Sequence, residues 1–132
     1  MSFWTKCGVT INDLECFRQS CRQNGVEYIV NEDPNFKMQG GEVVAILRDT
    51  QRGAGYAREG YLIRSEGAHK VVLDNDPNYS SLTRRLGRNG GKLTRGYTEG
   101  VITKGVKRNN AFISSREEQP DGSIVMKIQK VA

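Results

Sequence analysis

Imidazole is nearly absent from this sequence. His69 is the single histidine, and it stands in "GAHKVV", at the entry to a strand-like run. Nucleophilic catalysis of the Ser-His or Cys-His kind needs a base beside its nucleophile, and only this one residue offers an imidazole. Cysteine is also scarce. Cys7, Cys16 and Cys21 are odd in number, none belongs to a CxxC pair, and Cys16 and Cys21 stand five apart. Such spacing argues against a disulfide framework and, with one histidine, against a zinc site. Free thiols are expected instead, with Cys21 packed in the core as a small hydrophobe. No apolar run approaches the roughly 20 residues of a membrane helix. The start, "MSFWTKCGVT", has no apolar stretch after basic residues of the kind that marks a secretory signal. The expectation is an intracellular protein of the cytoplasm, the plastid stroma or an infected host's cytoplasm, with no membrane partner. Internal repeats, low-complexity tracts and interdomain linkers are missing too, so one domain spanning 1–132 is expected.

Two further absences concern cofactors. The carboxylate pairs Asp74/Asp76 and Glu117/Glu118 sit in turns beside Asn, Pro and Gly, and neither supplies the loop glycine and closing glutamate of an EF-hand. A P-loop needs GxxxxGK followed by Ser or Thr, after a strand and before a helix. In "LGRNGGKLT" Gly87 precedes Gly91-Lys92 by four positions rather than five, Leu93 stands where the hydroxyl belongs, and the preceding element reads as a short helix. No nucleotide hydrolase, cofactor or metal is expected, and the reading is a non-catalytic protein. The same stretch reads as a hinge between two helical pieces, whose second piece opens at Gly91-Lys92-Leu93.

What is present is positive charge, unevenly placed. From Arg84 to Arg108 there are eight bases and one acid, Glu99, so this segment carries +7 of a chain whose total is +5. Local asymmetry of this kind suggests an anionic partner. Candidate contacts to nucleic acid or another polyanion are Arg84, Arg85, Arg88, Lys92 and Arg95. Arg52 and Arg58 join them from the glycine-rich link "DTQRGAGYAREG", where Tyr56 and Tyr61 can stack on unpaired bases. No RNP signature, KH loop or zinc knuckle accompanies them. A second reading is a protein-interaction adaptor or a subunit of a larger assembly. Gly96 and Gly100 form a small-residue strip on the polar side of a helix that also carries Lys107, open to close approach by a partner. A third, an enzyme or ligand-sequestering protein of phage origin, requires a pocket.

The periodicities predict α+β. A first strand covers Ser2–Ile11, and a helix follows in "NDLECFRQSCRQNG", with Asn12 and Glu15 as a capping box and Gly25 as its stop. Leu14, Phe17 and Cys21 share its inner face. "VEYIV" is a short strand, and residues 31–41 are a turn-rich link. "EVVAILR" is apolar enough for the middle of a sheet, and residues 49–60 form a mobile hairpin connection. "YLIRS" and "HKVVLD" are strands separated by Glu66-Gly67-Ala68. A short helix capped by Ser80 or Ser81 precedes a longer one from about Lys92 to Lys107, with Leu93, Tyr97 and Val101 on its apolar arc. A hairpin around "QPDG" closes the chain, with Ile124, Met126 and Ile128 on its core face. The whole is a mainly antiparallel sheet with two main helices packed on one face and a C-terminal β-hairpin.

Several of these residues carry a resemblance. Leu14, Gly25, Tyr28, Gly91-Lys92-Leu93, Tyr97 and Asp121-Gly122-Ser123-Ile124 resemble the pattern of a small family of plastid-encoded conserved hypothetical proteins, with cyanobacterial, bacterial and phage relatives and a domain of unknown function. The likeness covers both ends of the chain. The family's opening histidine is absent from Met1-Ser2-Phe3-Trp4, its tryptophan-rich middle is lacking, and residues 49–70 read as a local elaboration. The resemblance implies the fold above and no catalytic residue. Bacterial members are often encoded near an AAA-type ATPase and a ferredoxin-like protein, which implies an adaptor role by association.

Overall fold

The computed structural model describes residues 4–51, 59–121 and 123–131. Its elements run β1 (Trp4–Ile11), α1 (Leu14–Gln23), β2 (Val26–Val30), β3 (Lys37–Met38), β4 (Gly41–Asp49), β5 (Glu59–Ser65) and β6 (Ala68–Asp74). They continue with α2 (Ser81–Leu86), a 3₁₀ turn (Arg88–Gly90), α3 (Gly91–Arg108), β7 (Ala111–Glu118) and β8 (Ile124–Lys130). The architecture is α+β, a mainly antiparallel sheet with two main helices and a C-terminal hairpin. Within it the chain falls into two compact units, Met1–Tyr97 and Thr98–Ala132.

The first unit is built on a six-stranded sheet ordered β1-β6-β5-β4-β2, with β3 also pairing β4. The apolar run expected in the middle is β4, which is paired on both sides and buries Val43, Ala45 and Leu47. The β5–β6 turn has two residues, Glu66 and Gly67, both at positive φ, as the right-handed twist of a hairpin requires. Ala68, expected in that turn, therefore opens the next strand opposite Ser65. The 31–41 link also contains a short strand, β3, that was not expected. Asp49 closes β4 and Glu59 opens β5, so the expected connection is shorter than 49–60. Arg52, Tyr56 and Arg58 lie outside the described residues.

Helix α1 starts one residue later than its sequence suggests. Asp13, not Asn12, is the cap, and its Oδ1 accepts the Cys16 N–H at 3.0 Å. The reason is tertiary. The N–H groups of Asn12 and Asp13 both donate to the Tyr97 hydroxyl, at 2.9 and 3.2 Å, which holds the entering chain extended. Gly25 stops the helix at φ +66°, a left-handed position that glycine adopts without steric cost.

All three helices put apolar residues into one core. Cys16, Phe17 and Cys21 from α1, Leu82 and Leu86 from α2, and Leu93 and Tyr97 from α3 cover the sheet face that carries Ala45, Leu47, Leu62 and Val71. Every cysteine is buried and none is in a disulfide. The opposite sheet face has a smaller cluster, in which Val43, Ile63 and Val72 lie beneath Trp4, Phe36, Met38 and Tyr61.

The second unit holds the remainder of α3 and the β7–β8 hairpin. Arg116 on β7 pairs with Glu99 on α3. Ile113, Ile124, Met126 and Ile128 share one hairpin face, the face expected to be core. None of them is buried, and Ile128 is 50% exposed. On the other face Phe112 and Val125 are 46% and 56% exposed. Two strands without a second sheet cannot enclose their side chains. Val101, on the expected apolar arc of the helix, and its neighbour Ile102 are likewise exposed, whereas Val106 is buried.

Candidate nucleic-acid interface

The basic stretch opens in α2, after the turn that follows β6. After Asp74 the chain turns through Asn75–Tyr79, and Ser80 caps α2 by accepting the Thr83 N–H at 3.2 Å. Thr83 in turn donates its hydroxyl to the Asp74 carbonyl at 2.5 Å, tying the short helix to the strand. Leu82 and Leu86 anchor it in the core. Gly87, at φ +87°, ends the helix, and the 3₁₀ turn follows with Asn89 left-handed at φ +58°. Asn75 holds that turn in place. Its Oδ1 accepts the Asn89 N–H at 2.9 Å, and its Nδ2 donates to Asn89 Oδ1 at 2.8 Å and to the Thr5 hydroxyl. The "LGRNGGKLT" stretch is thus a braced corner between two helices, with α3 starting at Gly91.

The corner sorts the bases. Arg84 is exposed, and its Nε donates to the Pro77 carbonyl at 2.9 Å. Arg88, Lys92 and Arg95 are exposed and make no ion pair among the described residues, while Leu93, Thr94 and Tyr97 turn inward. Arg85 does the opposite of what its sequence position suggests. Its side chain is 23% exposed and pairs with Asp49, which is 1% exposed, through Nη2 at 2.7 Å and Nε at 3.1 Å. The guanidinium also donates to the carbonyls of Asn24 and, at 3.1 Å, Gly25. Burial alone would raise the Asp49 carboxyl, but hydrogen bonds, those from Arg85 foremost, hold it below the ordinary carboxylate range. Arg85 therefore staples α2 to the end of β4 and the α1–β2 turn, and is withdrawn from the exposed bases.

Gly96 is also an internal residue. A Cβ there would lie 2.5 Å from Ser20 Oγ and 3.5 Å from Asn24 Nδ2, so the glycine lets α3 approach α1. This accounts for its small size without an outside partner. Gly100 is half-buried and Lys107 is exposed on α3. His69 is a half-buried strand residue opposite Ile11 and Arg64.

Sequence reasoning missed a cavity beside the corner. Thr5, Asn75, Pro77, Thr83 and Arg88 line a space of about 580 Å³. Those residues come from β1, the β6–α2 turn, α2 and the 3₁₀ turn, and no local pattern links them. Among the described residues no group of three or more His, Cys, Asp or Glu is placed to hold a metal ion, and no helix is long and apolar enough to cross a membrane. No family model matches the chain, and no curated protein or solved structure matches it.

Proposed function

We propose that this protein is a small non-catalytic binding protein that takes nucleic acid or another polyanion on the row Arg84, Arg88, Lys92 and Arg95. The observation that carries the reading is the contrast within one basic stretch. Arg85 is neutralised internally, whereas these four remain exposed and without an acidic partner among the described residues. Each phosphate contact contributes about 0.7–0.9 to the slope of log affinity against log salt. Four contacts then predict a loss of about 100-fold between roughly 50 and 200 mM salt. Fluorescence anisotropy on labelled DNA measures this, and the variant with Arg88, Lys92 and Arg95 all changed to Glu should not bind. Affinity that ignores salt, or survives those substitutions, refutes the reading. Arg85 is left out of the variant because its loss would test folding instead.

A second reading has its own support. Among the described residues, six of the seven exposed large hydrophobics (Val101, Ile102, Phe112, Val125, Ile128 and Val131) belong to the Thr98–Ala132 unit. Apolar surface gathered in this way favours a protein partner, in an adaptor role or as a subunit of a larger assembly, for example with an AAA-type ATPase. Purification from the native host at low salt, with and without nuclease, separates the readings. Phe112→Ser with Val125→Ser should release a protein partner and leave DNA binding intact. A complex that survives both substitutions removes this second reading.

A further inference from the structure

We infer that the cavity beside Arg88 receives one unpaired nucleotide, so that the polyanion is a single-stranded nucleic acid. The inference rests on the polyanion reading and narrows it. The cavity, about 580 Å³, falls within the ~300–1,000 Å³ range of small-molecule sites.

Most polar groups in its wall are already committed. Asn75 uses its amide on Asn89 and Thr5, and the Thr83 hydroxyl is held by the Asp74 carbonyl. Of the nearby carboxylates one oxygen each is engaged, since Asp74 Oδ1 accepts the Asp76 N–H at 3.0 Å and Asp76 Oδ1 accepts the Asn78 N–H at 2.9 Å. What the wall can then offer a ligand is the apolar surface of Pro77 and the threonines and the guanidinium of Arg88, which makes no ion pair among the described residues.

A flat body of low polarity with one anionic group fits that chemistry, and a nucleotide has both. Its base can lie against Pro77 while its phosphate meets Arg88. Lys92 and Arg95 then follow along α3 for the phosphates on either side. A base inside a duplex is stacked and paired and cannot enter, whereas an unpaired base is free to be splayed out. The bracing by Asn75 means that the cavity exists before the ligand arrives, so little ordering cost falls on binding.

The test compares fluorescein-labelled oligothymidylate and oligouridylate with a duplex of the same length and with heparin, all at one salt concentration. The wild type should hold the single strands about tenfold more tightly than the duplex, the scale of one base contact. Thr5→Trp fills the cavity from an exposed strand position, where an aromatic residue suits the sheet. It should abolish the preference and leave duplex and heparin affinity unchanged. Arg88→Gln, a surface change, should lower single-strand affinity more than Lys92→Gln does, and this keeps the idea testable if Thr5→Trp fails to fold. Equal wild-type affinity for single strands and duplex overturns the inference, as does a preference that survives Thr5→Trp. In both cases the polyanion reading stands. Failure of all probes, heparin included, to bind at low salt overturns the polyanion reading itself.

Discussion

Replacing Arg85 by methionine separates folding from binding in the basic stretch. The substitution leaves Asp49, which is 1% exposed, without its cation, and removes donors from the Asn24 and Gly25 carbonyls. Removing one partner of a buried pair costs about 3–5 kcal/mol. Arg85 keeps 23% of its side-chain surface, which places the loss near the lower end, about 3 kcal/mol. For a chain of this length that lowers the melting temperature by roughly 10 °C. The effect should depend on pH in a definite direction. In the wild type the folded Asp49 titrates below its unfolded value, so the unfolded chain takes up the proton first as pH falls. Its contribution is full above the unfolded carboxylate value, near pH 4, and disappears as pH drops through the folded value. In Arg85→Met burial remains and the pairing is gone, so the carboxyl rises and the folded variant accepts a proton readily. The gap in stability between the two proteins should therefore narrow as pH falls from about 6 to 3. Adding Asp49→Asn to the variant should restore part of the loss at neutral pH, because a buried unpaired charge disappears. Calorimetry across that range reads all of this. A melting point within about 3 °C of wild type at neutral pH, or a drop in DNA affinity matching that of Arg88→Gln, would show that Arg85 is a surface contact after all.

Other consequences are as direct. Gly96→Ala brings a methyl to 2.5 Å from Ser20 Oγ, a hydroxyl that donates to the Leu93 carbonyl at 2.7 Å. It should destabilise by about 1 kcal/mol despite the better helix propensity. Gly105→Ala meets nothing within 4 Å and should instead raise stability by about 0.5–1 kcal/mol; denaturant melts that gave both the same sign would contradict the packing described. Tyr97→Phe removes the acceptor for the Asn12 and Asp13 N–H groups and should cost about 1–3 kcal/mol, with faster hydrogen exchange at the start of α1. Burial pushes the Cys7 thiol up to about 11, and the Cys21 thiol up to about 12 against the lowering influence of Arg18 and Arg22. Neither should react with a disulfide reagent at pH 8 until denaturant is added, and prompt modification of the native protein would count against their burial.

Much of the fold is legible in the sequence because its signals are local. The short apolar runs "YLIRS" and "HKVVLD", the helical spacing of Leu14, Phe17 and Cys21, and the stop at Gly25 each act within a few residues, and these elements formed within one or two residues of the expected bounds. The site is less legible. Arg84 and Arg85 are neighbours in sequence and present the same charge, yet one faces water and the other is paired with Asp49, 36 positions away. Gly96 looks like an open strip on a polar helix face until α1 is placed against it. The core face expected for the hairpin is correct in its alternation, but whether alternating residues are enclosed depends on a second layer that alternation cannot specify. The cavity beside Arg88 gathers residues from four segments that share no pattern. By itself the sequence determined the helices, the strands other than β3, their order and the place of the positive charge, since propensity, turn chemistry and charge belong to short stretches of chain. Only the tertiary structure decided which bases face solvent and which glycine is a packing contact, because both depend on distances between segments far apart along the chain.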